Sequence, residues 1–502
     1  MILILIFVVI FLILLWVYKR WSKVKRYWAD LGVPHYAPHP IMGSLTFLQR
    51  QNPAFWMRQV YNDFKSPYVG MWLFWRPALV VNTPEIARRI MVKDSDIFRN
   101  RFMSSGKSDP HGALNLVTVN DPVWTTIRRR LTSLFTAAKL KNHDIITKDK
   151  SKDLIQRIKE ESAKSNLLNL RTLCTDYTTD VIGESAFGIN SESVKTGDSV
   201  MRGVTREFME FNLQRGLSWS SIFFFPELVD IFRFSFFPKH TMESLRHIFR
   251  SIVRQRGGYD KEIKEPRDML DALLKIKQDA KADNEEMSED FLLAQAAVFL
   301  LGGFDTSGST MTWILYELAW HPLIQEKLYE EIIQAQKKNA VKDLDMTSLS
   351  ELNYLNCVIK ETLRIFPPMG WLDRIAGKDY QIDEKLTIPA GTPVYINAVA
   401  MQVDPQYFPD PLVFNPDRFM PENERNIVPF TFLPFGDGPR SCIGMRFGYQ
   451  TLRQGLSSII LNYELSIVPG SPKPNDVEVE HKGMFLMPID PKMVIQFVPR
   501  VK

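Results

Sequence analysis

The chain has 502 residues, of which 45% are apolar and 12% aromatic, so it is long and apolar enough to bury a large core. Its 62 basic and 57 acidic residues leave a net charge of +5, which does not indicate a strongly charged partner such as nucleic acid. Three cysteines, Cys174, Cys357 and Cys442, are too few and too scattered for a disulfide framework. This cysteine usage predicts a reducing compartment for the main body of the protein.

Residues 1–18 are almost wholly apolar, and a basic cluster follows them at once at Lys19, Arg20, Lys23, Lys25 and Arg26. Crossing a bilayer takes roughly 17–25 residues, so the run is at the short edge of a span. A cleavable signal peptide would need a basic region before the run and small residues after it, and the sequence has neither. The basic flank therefore predicts an uncleaved anchor whose C-terminal side stays cytosolic.

Residues 19–43 combine this basic flank with three spaced prolines, Pro34, Pro38 and Pro40. Spaced prolines favour a stiff, extended linker, so we expect a hinge between the anchor and the rest of the chain. Residues 44–502 show no internal repeat and no break in composition. We therefore expect them to form one domain.

Strand-like runs occur early, at 78–81, and late, at 394–396 and 493–498, whereas most of the middle of the chain has helical patterning. The longest helical candidate covers 288–320, with Ser288 as the predicted N-cap and Glu289 and Asp290 in the first turn. Its residues 291–304 carry no charge. Fourteen apolar residues are too few for a second span and predict a helix buried in a large core.

This helix contains the run Gly302-Gly303-Phe304-Asp305-Thr306-Ser307. Each glycine weakens a helix by about 1 kcal/mol relative to alanine, which is explained if a flat ligand lies against the backbone there. Asp305 and Thr306 place a carboxylate and a hydroxyl in an apolar helix, where unpaired polar groups are costly. From the helix alone, a functional pair and a structurally satisfied pair in a kinked turn remain open.

A further helix is predicted at 350–366, ending before Pro367, with Glu361 and Arg364 three residues apart on one side. The region 208–238 holds nine phenylalanines. Most aromatics at that density belong to a core, and we expect some of these to touch a membrane above a substrate channel.

Cys442 lies in the segment 435–444, with glycines nearby and Arg440 two residues upstream. A single cysteine cannot build a structural zinc site, which needs about four ligands. One thiolate suits haem iron, and the glycines allow a tight turn beneath a flat macrocycle. A buried structural cysteine on a glycine-rich loop is the alternative for this segment taken by itself.

The pattern F-x-x-G-x-R-x-C-x-G from Phe435 to Gly444 resembles the signature of the cytochrome P450 haem-thiolate monooxygenases and matches it at every fixed position. The resemblance extends along most of the chain. It implies the cytochrome P450 fold, mainly α with a small β component, after an N-terminal transmembrane anchor. It also implies haem b with Cys442 as the axial thiolate, and cofactor-binding roles for Phe435, Arg440 and Gly444.

Other motifs resemble the same family in the expected order. The Asp305-Thr306 pair is similar to its acid–alcohol pair, which helps to deliver protons to dioxygen. Trp124 and Arg128 match W-x-x-x-R, which implies contact with the haem propionates, and Arg374 matches an arginine that enters beside the haem. For Arg374 a solvated surface charge remains the alternative.

Glu361-Thr-Leu-Arg364 resembles the family's E-x-x-R motif, and Arg418 in 414–419 resembles the arginine of its P-x-R-F element. The resemblance implies a buried network of these three charges. The position before Arg418 is Asp417, where the family most often has glutamate.

By resemblance, the open side of the haem is lined by 102–117, 299–306, 369–372 and 484–485, which are mainly apolar and predict a lipophilic substrate. The chain has no phosphate-binding loop and no complete dinucleotide fingerprint. Electrons are therefore expected from NADPH through a separate flavoprotein reductase, with cytochrome b5 as a further partner. The basic residues Arg128, Arg129, Arg130, Lys139 and Lys141 are candidates for docking an acidic partner.

The fine pattern is most similar to insect microsomal members associated with detoxification, which implies the endoplasmic reticulum membrane with the catalytic domain on the cytosolic face. The leading hypothesis is a monooxygenase that inserts one oxygen atom into a lipophilic small molecule, either a xenobiotic or an endogenous lipid. A haem-thiolate isomerase or dehydratase acting on peroxides, and a non-catalytic haem-binding protein, are the alternatives.

Overall fold

The computed structural model describes residues 2–164, 168–282 and 287–500. It is 57% helical with 9% strand, which confirms the expected mainly α fold with a small β component. The helices are α1 (Ile2–Asp30), α2 (Pro53–Phe64), α3 (Pro84–Arg88), α4 (Pro110–Leu114), α5 (Val123–Thr132), α6 (Ala137–Lys164), α7 (Leu170–Phe187), α8 (Ser193–Thr196), α9 (Val200–Phe208), α10 (Leu213–Phe224), α11 (Glu227–Phe232), α12 (Lys239–Gln255), α13 (Met269–Ala282), α14 (Glu289–Trp320), α15 (Pro322–Asn339), α16 (Met346–Ser350), α17 (Asn353–Ile365), α18 (Ala398–Met401), α19 (Pro421–Glu424) and α20 (Met445–Asn462).

The strands are β1 (Tyr68–Leu73), β2 (Arg76–Val81), β3 (Leu168–Asn169), β4 (Leu372–Ile375), β5 (Tyr380–Gln381), β6 (Thr387–Ile388), β7 (Pro393–Ile396), β8 (Tyr463–Ile467) and β9 (Val494–Pro499). The first sheet has the order β1-β2-β7-β4, in which only the β2–β7 pair is parallel. A second sheet has the order β3-β9-β8, and β5 pairs with β6. The three predicted strands coincide with β2, β7 and β9, so these predictions are confirmed.

The longest helix, α14, packs against α4, α7, α17 and α20. It begins one residue after Ser288, whose hydroxyl accepts a hydrogen bond from the Phe291 amide at 3.1 Å, as the predicted cap requires. Both α1 and α14 are long and apolar enough to cross a membrane. The apolar stretch of α14 is 83% buried inside the protein and that of α1 is 0% buried, so α14 is the predicted core helix and α1 the candidate anchor.

The predicted helix at 350–366 is divided in two. The short helix α16 ends at Ser350, and α17 begins at Asn353 after Leu352. The division lies within three residues of the predicted start, and the predicted end before Pro367 is confirmed.

Glu361 and Arg364 on α17 form the expected buried network. Both side chains are fully buried, and two parallel contacts join Arg364 Nε and Nη2 to the Glu361 carboxylate at 2.7 and 2.8 Å. Arg418 Nε lies 3.4 Å from the same carboxylate, and the Asn415 amide donates to it at 2.9 Å. Arg364 Nη1 donates to the Gln402 carbonyl at 2.8 Å. The network therefore ties α17 to the segment that leads toward Cys442.

The segment 19–43 is not extended throughout, as the prolines predict it to be. Helix α1 continues without a break to Asp30, and its residues Val24 and Trp28 are buried in a core cluster with β2 and β7. The carbonyl of Pro34 then accepts a hydrogen bond from the Gly70 amide of β1 at 2.8 Å. The predicted extended linker is therefore wrong for residues 19–30, which are helical. Residues 33–43 are not helical and lie along the first sheet, and a hinge role for this segment stays a prediction.

The aromatic-rich region 208–238 is mostly core. The phenylalanines at 223–225 and 236–237 are buried, where they pack around Trp219 and Trp371. Phe232, at the end of α11, is exposed beside the exposed Ile231. The expectation that most of these aromatics belong to the core is therefore confirmed. A membrane contact is excluded for the five buried phenylalanines, because their rings pack inside the protein.

Candidate functional site: a cysteine loop beneath a long helix

The loop that carries Cys442 is closed by its own backbone. The Cys442 amide donates to the Phe435 carbonyl at 2.9 Å, and the Ser441 amide donates to the Gly438 carbonyl at 3.1 Å. Gly436 and Gly438 have φ values of +66° and +70°, which other residues rarely adopt. A Cβ at Gly438 would also lie 2.0 Å from the carbonyl oxygen of Met91. The glycine is therefore required for the loop to sit against the neighbouring chain.

Cys442 is exposed to a cavity of about 310 Å³ that lies between the loop and α14. Removal from bulk solvent raises the pKa of its thiol, while the Gly444 amide and the positive charge of Arg128 oppose that rise. The other two cysteines, Cys174 and Cys357, are buried and do not line the cavity. The described chain thus offers one cysteine to a ligand in this cavity.

One wall of the cavity brings Trp124 and Arg128 of α5 together with Arg440. The Arg440 guanidinium stacks on the Trp124 ring, 3.9 Å from its centroid, and Nη1 donates to the Val119 carbonyl at 3.1 Å. Arg128 lines the same cavity, and burial lowers its pKa. The i, i+4 spacing of Trp124 and Arg128 therefore places both on the cavity side of one helix, as the motif predicts.

Arg374 on β4 is buried and lines the cavity, so the alternative of a solvated surface charge is wrong. Burial, followed by the charge of Arg101, lowers its pKa to about 10. Burial, together with Arg101 and Arg374, lowers the pKa of Arg440 to about 8. Several buried or half-buried cations that line one cavity favour the binding of an anion there.

Sequence patterns missed Arg101, which also lines the cavity. Its Nε is buried and has no hydrogen-bond partner among the described residues. Its backbone is fixed by Asn120, whose side chain accepts from the Arg101 amide and donates to its carbonyl, both at 2.9 Å. No motif surrounds Arg101, so only this tertiary contact brings it to the site.

These observations fit haem, the group expected from the resemblance. A thiol faces the cavity, and four guanidiniums line it against one lining carboxylate, Asp373, which accepts from the Met103 amide. Carboxylate propionates would satisfy the unpartnered Arg101 Nε and relieve the mutual repulsion of the arginines. Phe435 and Gly444 also line the cavity next to the thiol. All the residues expected to bind the cofactor therefore meet in one place.

The opposite wall is the glycine-containing part of α14. A Cβ at Gly302 would meet nothing within 4 Å, whereas at Gly303 it would lie 2.5 Å from the Ile182 side chain of α7. The Thr306 hydroxyl lines the cavity and donates to the Gly302 carbonyl at 2.7 Å. Both glycines were expected to leave room for a ligand, but only Gly302 does so. Gly303 instead allows α14 to pack closely against α7.

Asp305 lies on another side of α14 and does not line the cavity. Its buried carboxylate pairs with Arg171 Nη2 at 2.8 Å, and Arg171 Nη1 donates to the Ser309 hydroxyl at 2.7 Å. Arg171 in turn lines a separate polar pocket of about 580 Å³, whose rim includes the exposed Arg206 and Glu210. The structure therefore does not bring Asp305 and Thr306 side by side, although they are neighbours in sequence.

The remaining walls of the cavity are apolar. Each of the four predicted segments contributes, with Met103, Leu116, Val117, Phe299, Met369, Trp371, Leu372 and Phe485. Phe223, from the phenylalanine-rich region placed above a substrate channel, lines it as well, and so do Phe135, Ile182 and Met269, which the sequence patterns did not identify. These residues come from the end of the α5 region, α7, α10 and α13, and only the folded chain brings them together.

The two glycines of α14 provide a matched pair for testing this geometry. Gly303→Ala should lower Tm, because overpacking against Ile182 costs about 1–3 kcal/mol. In the haem-free protein Gly302→Ala should leave Tm unchanged or raised, since its methyl group would enter only the room left for the ligand and alanine favours a helix by about 1 kcal/mol. Equal Tm changes in the two variants would contradict the assignment of different tasks to the two glycines.

The chain belongs to the cytochrome P450 family, because the family model described as Cytochrome P450 matches residues 33–495. It is 34% identical over 492 residues to a Drosophila melanogaster protein named probable cytochrome P450 6g2, with 93% of this chain and 92% of that protein covered. It is 32% identical over 478 residues to cytochrome P450 6k1 of Blattella germanica, with 91% and 90% covered.

Family membership confirms the fold class and the cofactor expected from the sequence. Members of this family bind haem b through a cysteine thiolate. They are oxidoreductases and generally monooxygenases, and this class of activity is therefore supported for the chain. An apolar N-terminal helix is consistent with a membrane anchor.

Proposed function

We propose that this protein is a haem-thiolate monooxygenase that inserts one oxygen atom of O2 into a lipophilic small molecule. The overall reaction is RH + O2 + two electrons + two protons → ROH + H2O. The observation that carries the proposal is the thiol of Cys442 facing a cavity that has arginines around its edge and apolar side chains on its open side. When bound, haem supplies the activation of dioxygen.

In this proposal Cys442 would ligate the haem iron, and Trp124, Arg128, Arg374 and Arg440 would hold the propionates. The Gly444 amide donates toward the sulfur, which favours the thiolate form that a metal ligand needs. We add Arg101 to the propionate partners, since its Nε is buried without a partner among the described residues. Phe435 closes the loop through its carbonyl and presents its ring to the cavity.

The open side of the cavity binds the substrate and excludes water. Trp371, Phe485 and Phe299 give it broad aromatic walls. An apolar wall stabilises an apolar substrate by about 25 cal/mol for each Å² removed from water. A neutral lipophilic compound therefore fits this side better than a charged one.

Reconstitution tests the proposal directly. Full-length protein should oxidise lipophilic compounds in the presence of NADPH, a flavoprotein reductase and ¹⁸O2, with one labelled oxygen in the product. Conversion of a peroxide without NADPH would favour the isomerase or dehydratase alternative. Haem binding without turnover across a broad panel of compounds would favour a non-catalytic haem protein.

Thr306 and Asp305 are proposed to supply protons. Thr306→Ala should raise the hydrogen peroxide released per NADPH consumed, because the variant removes a hydroxyl that lines the cavity and is proposed to relay a proton. Asp305→Asn should slow turnover by about 100-fold, the lower end of the range for a proton-transfer group. Peroxide and product are measured in the same reconstituted assay.

Ser309→Ala is the matched control for the Asp305 variant. It removes the other side-chain partner of Arg171 but leaves the carboxylate in place. We expect near-normal coupling in Ser309→Ala. If Thr306→Ala and Asp305→Asn were as tightly coupled as the wild type, both residues would have a structural task only.

Electrons are proposed to come from NADPH through a separate flavoprotein reductase, with cytochrome b5 as a second donor. Of the basic residues expected to dock it, Arg129 and Lys141 are exposed, Arg128 and Arg130 are half-buried, and the side chain of Lys139 lies outside the described residues. The proposed docking face therefore depends mainly on Arg129 and Lys141. We further propose that α1 anchors the protein in the endoplasmic reticulum membrane with residues 44–502 as the catalytic domain on the cytosolic side.

Charge reversal tests this docking face. The double variant Arg129→Glu, Lys141→Glu should slow reductase-driven turnover by about tenfold at low ionic strength, because it removes electrostatic steering of an acidic partner. The effect should shrink above 0.1 M salt, where charges are screened within about 10 Å. Peroxide-driven turnover bypasses the reductase and should be unchanged. An equal loss by both routes would show that the two charges act on the fold.

A further inference from the structure

The apolar helix α1 does not end where its apolar residues end. Its last turns carry Val24 and Trp28 into the core cluster beside β1, β2 and β7. The Trp28 indole donates to the Met71 carbonyl at 3.0 Å, and the Trp72 indole donates to the Val24 carbonyl at 3.1 Å. Two tryptophans, one from the helix and one from β1, thus each donate to a backbone carbonyl of the other's element. A tether that merely passes the domain would not bury such contacts.

Gly70 of β1 provides the seat for Trp28. A Cβ at this position would lie 2.4 Å from the Trp28 ring, so the ring rests directly on the strand backbone. Gly70 lies in a strand and its φ is not positive, so its backbone conformation does not require glycine. The close approach of Trp28 is therefore the reason for glycine at this position.

The residues that follow α1 are fixed as well. Gly32, with φ of +66°, ends the helix, and the Val33 amide donates to the Trp28 carbonyl at 2.9 Å. The Gly70 amide then donates to Pro34 at 2.8 Å, and the Trp75 indole donates to Pro40 at 2.7 Å. The connection is thus bonded to the first sheet at Pro34 and to the turn after β1 at Pro40.

A second contact lies nearer to the apolar part of the helix. The ring centroids of Trp21 and Trp75 are 5.9 Å apart. Trp75 lies in the turn between β1 and β2, so this turn contacts α1 at Trp21, the residue after Arg20. Between Trp21 and Trp28 the helix therefore contacts the sheet at both ends of about two turns. Contacts at two separated points resist both bending and rotation of the helix relative to the body.

We infer that α1 and the catalytic body form one rigid unit, so that the membrane span sets a single orientation of the body on the lipid surface. A flexible connection without these contacts would instead let the body sample many orientations. The inference depends on the contacts of Trp28, Trp72 and Gly70 and on α1 lying in a membrane, and it holds whatever reaction the cavity performs. Its partner is the lipid bilayer, reached through the apolar helix itself.

Distance distributions between spin labels test this rigidity in the full chain, reconstituted in phosphatidylcholine nanodiscs. Tyr18→Cys on α1 and Lys385→Cys on the body are both exposed and provide one label each. We expect a distribution as narrow as that between two labels within the body, such as Lys385→Cys and Asp410→Cys. A variant with a Gly-Ser-Gly-Gly insertion between Lys19 and Arg20 provides the flexible reference and should broaden the distribution at least twofold.

Trp28→Ala should broaden the distribution toward that of the insertion variant, because it empties the seat on Gly70. Gly70→Val offers a second way to displace the same ring if the first variant folds poorly. The test needs neither turnover nor an identified substrate, so it is independent of the proposed activity. A wild-type distribution as broad as that of the insertion variant would overturn the inference.

Discussion

Cys442→Ser should abolish the strongly red-shifted Soret band that thiolate ligation gives to the reduced, CO-bound protein. The reason is that the cavity receives one thiol from the described chain, and serine offers no soft ligand in its place. The measurement is the difference spectrum of the reduced protein with and without CO. The expected loss is complete, because no partial ligation by a hydroxyl would reproduce the band.

Cys174→Ser and Cys357→Ser are the matched controls. Both cysteines are buried in helices away from the cavity lining, so the red-shifted band should persist in each variant. An unchanged band in Cys442→Ser would remove the ligand assignment and the proposed function with it. Loss of the band in a control variant alone would point to a folding defect, which Tm would reveal.

Glu361→Ala should prevent the protein from folding into a form that retains haem. Glu361 and Arg364 are fully buried and doubly bonded, so removing the carboxylate leaves a buried guanidinium without its charge partner. Breaking a buried pair in this way costs about 3–5 kcal/mol, a large share of the 5–15 kcal/mol that stabilises a typical protein. The measurements are the haem content per chain and Tm.

The exposed pair of Lys327 and Asp417 is the control for this prediction. Its nitrogen–oxygen distance is 2.5 Å, but both side chains are about half exposed, so Lys327→Ala should cost no more than about 1 kcal/mol. The exposure of Asp417 also explains why aspartate is acceptable where the family most often has glutamate. Normal haem content in Glu361→Ala would show that the network does not hold the fold together.

The core helix and the pairing of Glu361 with Arg364 could be predicted from short-range signals, whereas the burial of that pair and the part taken by Arg418 were implied only by the family resemblance. Ser288 caps the first turn of α14, and an uncharged run follows it, so the start and the burial of the helix are both visible in sequence. Glu361 and Arg364 face each other because three residues make nearly one turn. Local geometry decides each of these features.

The positions of Arg101 and Asp305 could not be predicted from such short-range signals. Arg101 reaches the cavity through its backbone pairing with Asn120, which lies 19 positions further along the chain. Asp305 turns away from Thr306 because Arg171, on α7, offers it a charge partner. Both outcomes depend on which distant element packs nearby, and no single-sequence pattern carries that information.

The docking of α1 was missed although the sequence contains a signal for it. Trp21, Val24 and Trp28 are spaced three and then four residues apart, which places them on one helix face. No glycine or proline separates them from the apolar run. This stripe outweighs the signal of the prolines that follow it, because α1 continues to Asp30 and buries Val24 and Trp28.

The two sides of helix α14 differ in polarity. Consecutive residues on a helix are about 100° apart, so Asp305 is directed to Arg171, which lines the separate polar pocket, while Thr306 is directed into the apolar cavity. In the proposed function, such a wall passes protons from the Arg171 side toward the cavity without opening the cavity to bulk solvent. Substrate retention then depends on one side of the helix and proton supply on the other, so a substitution on one side is expected to change one property without the other.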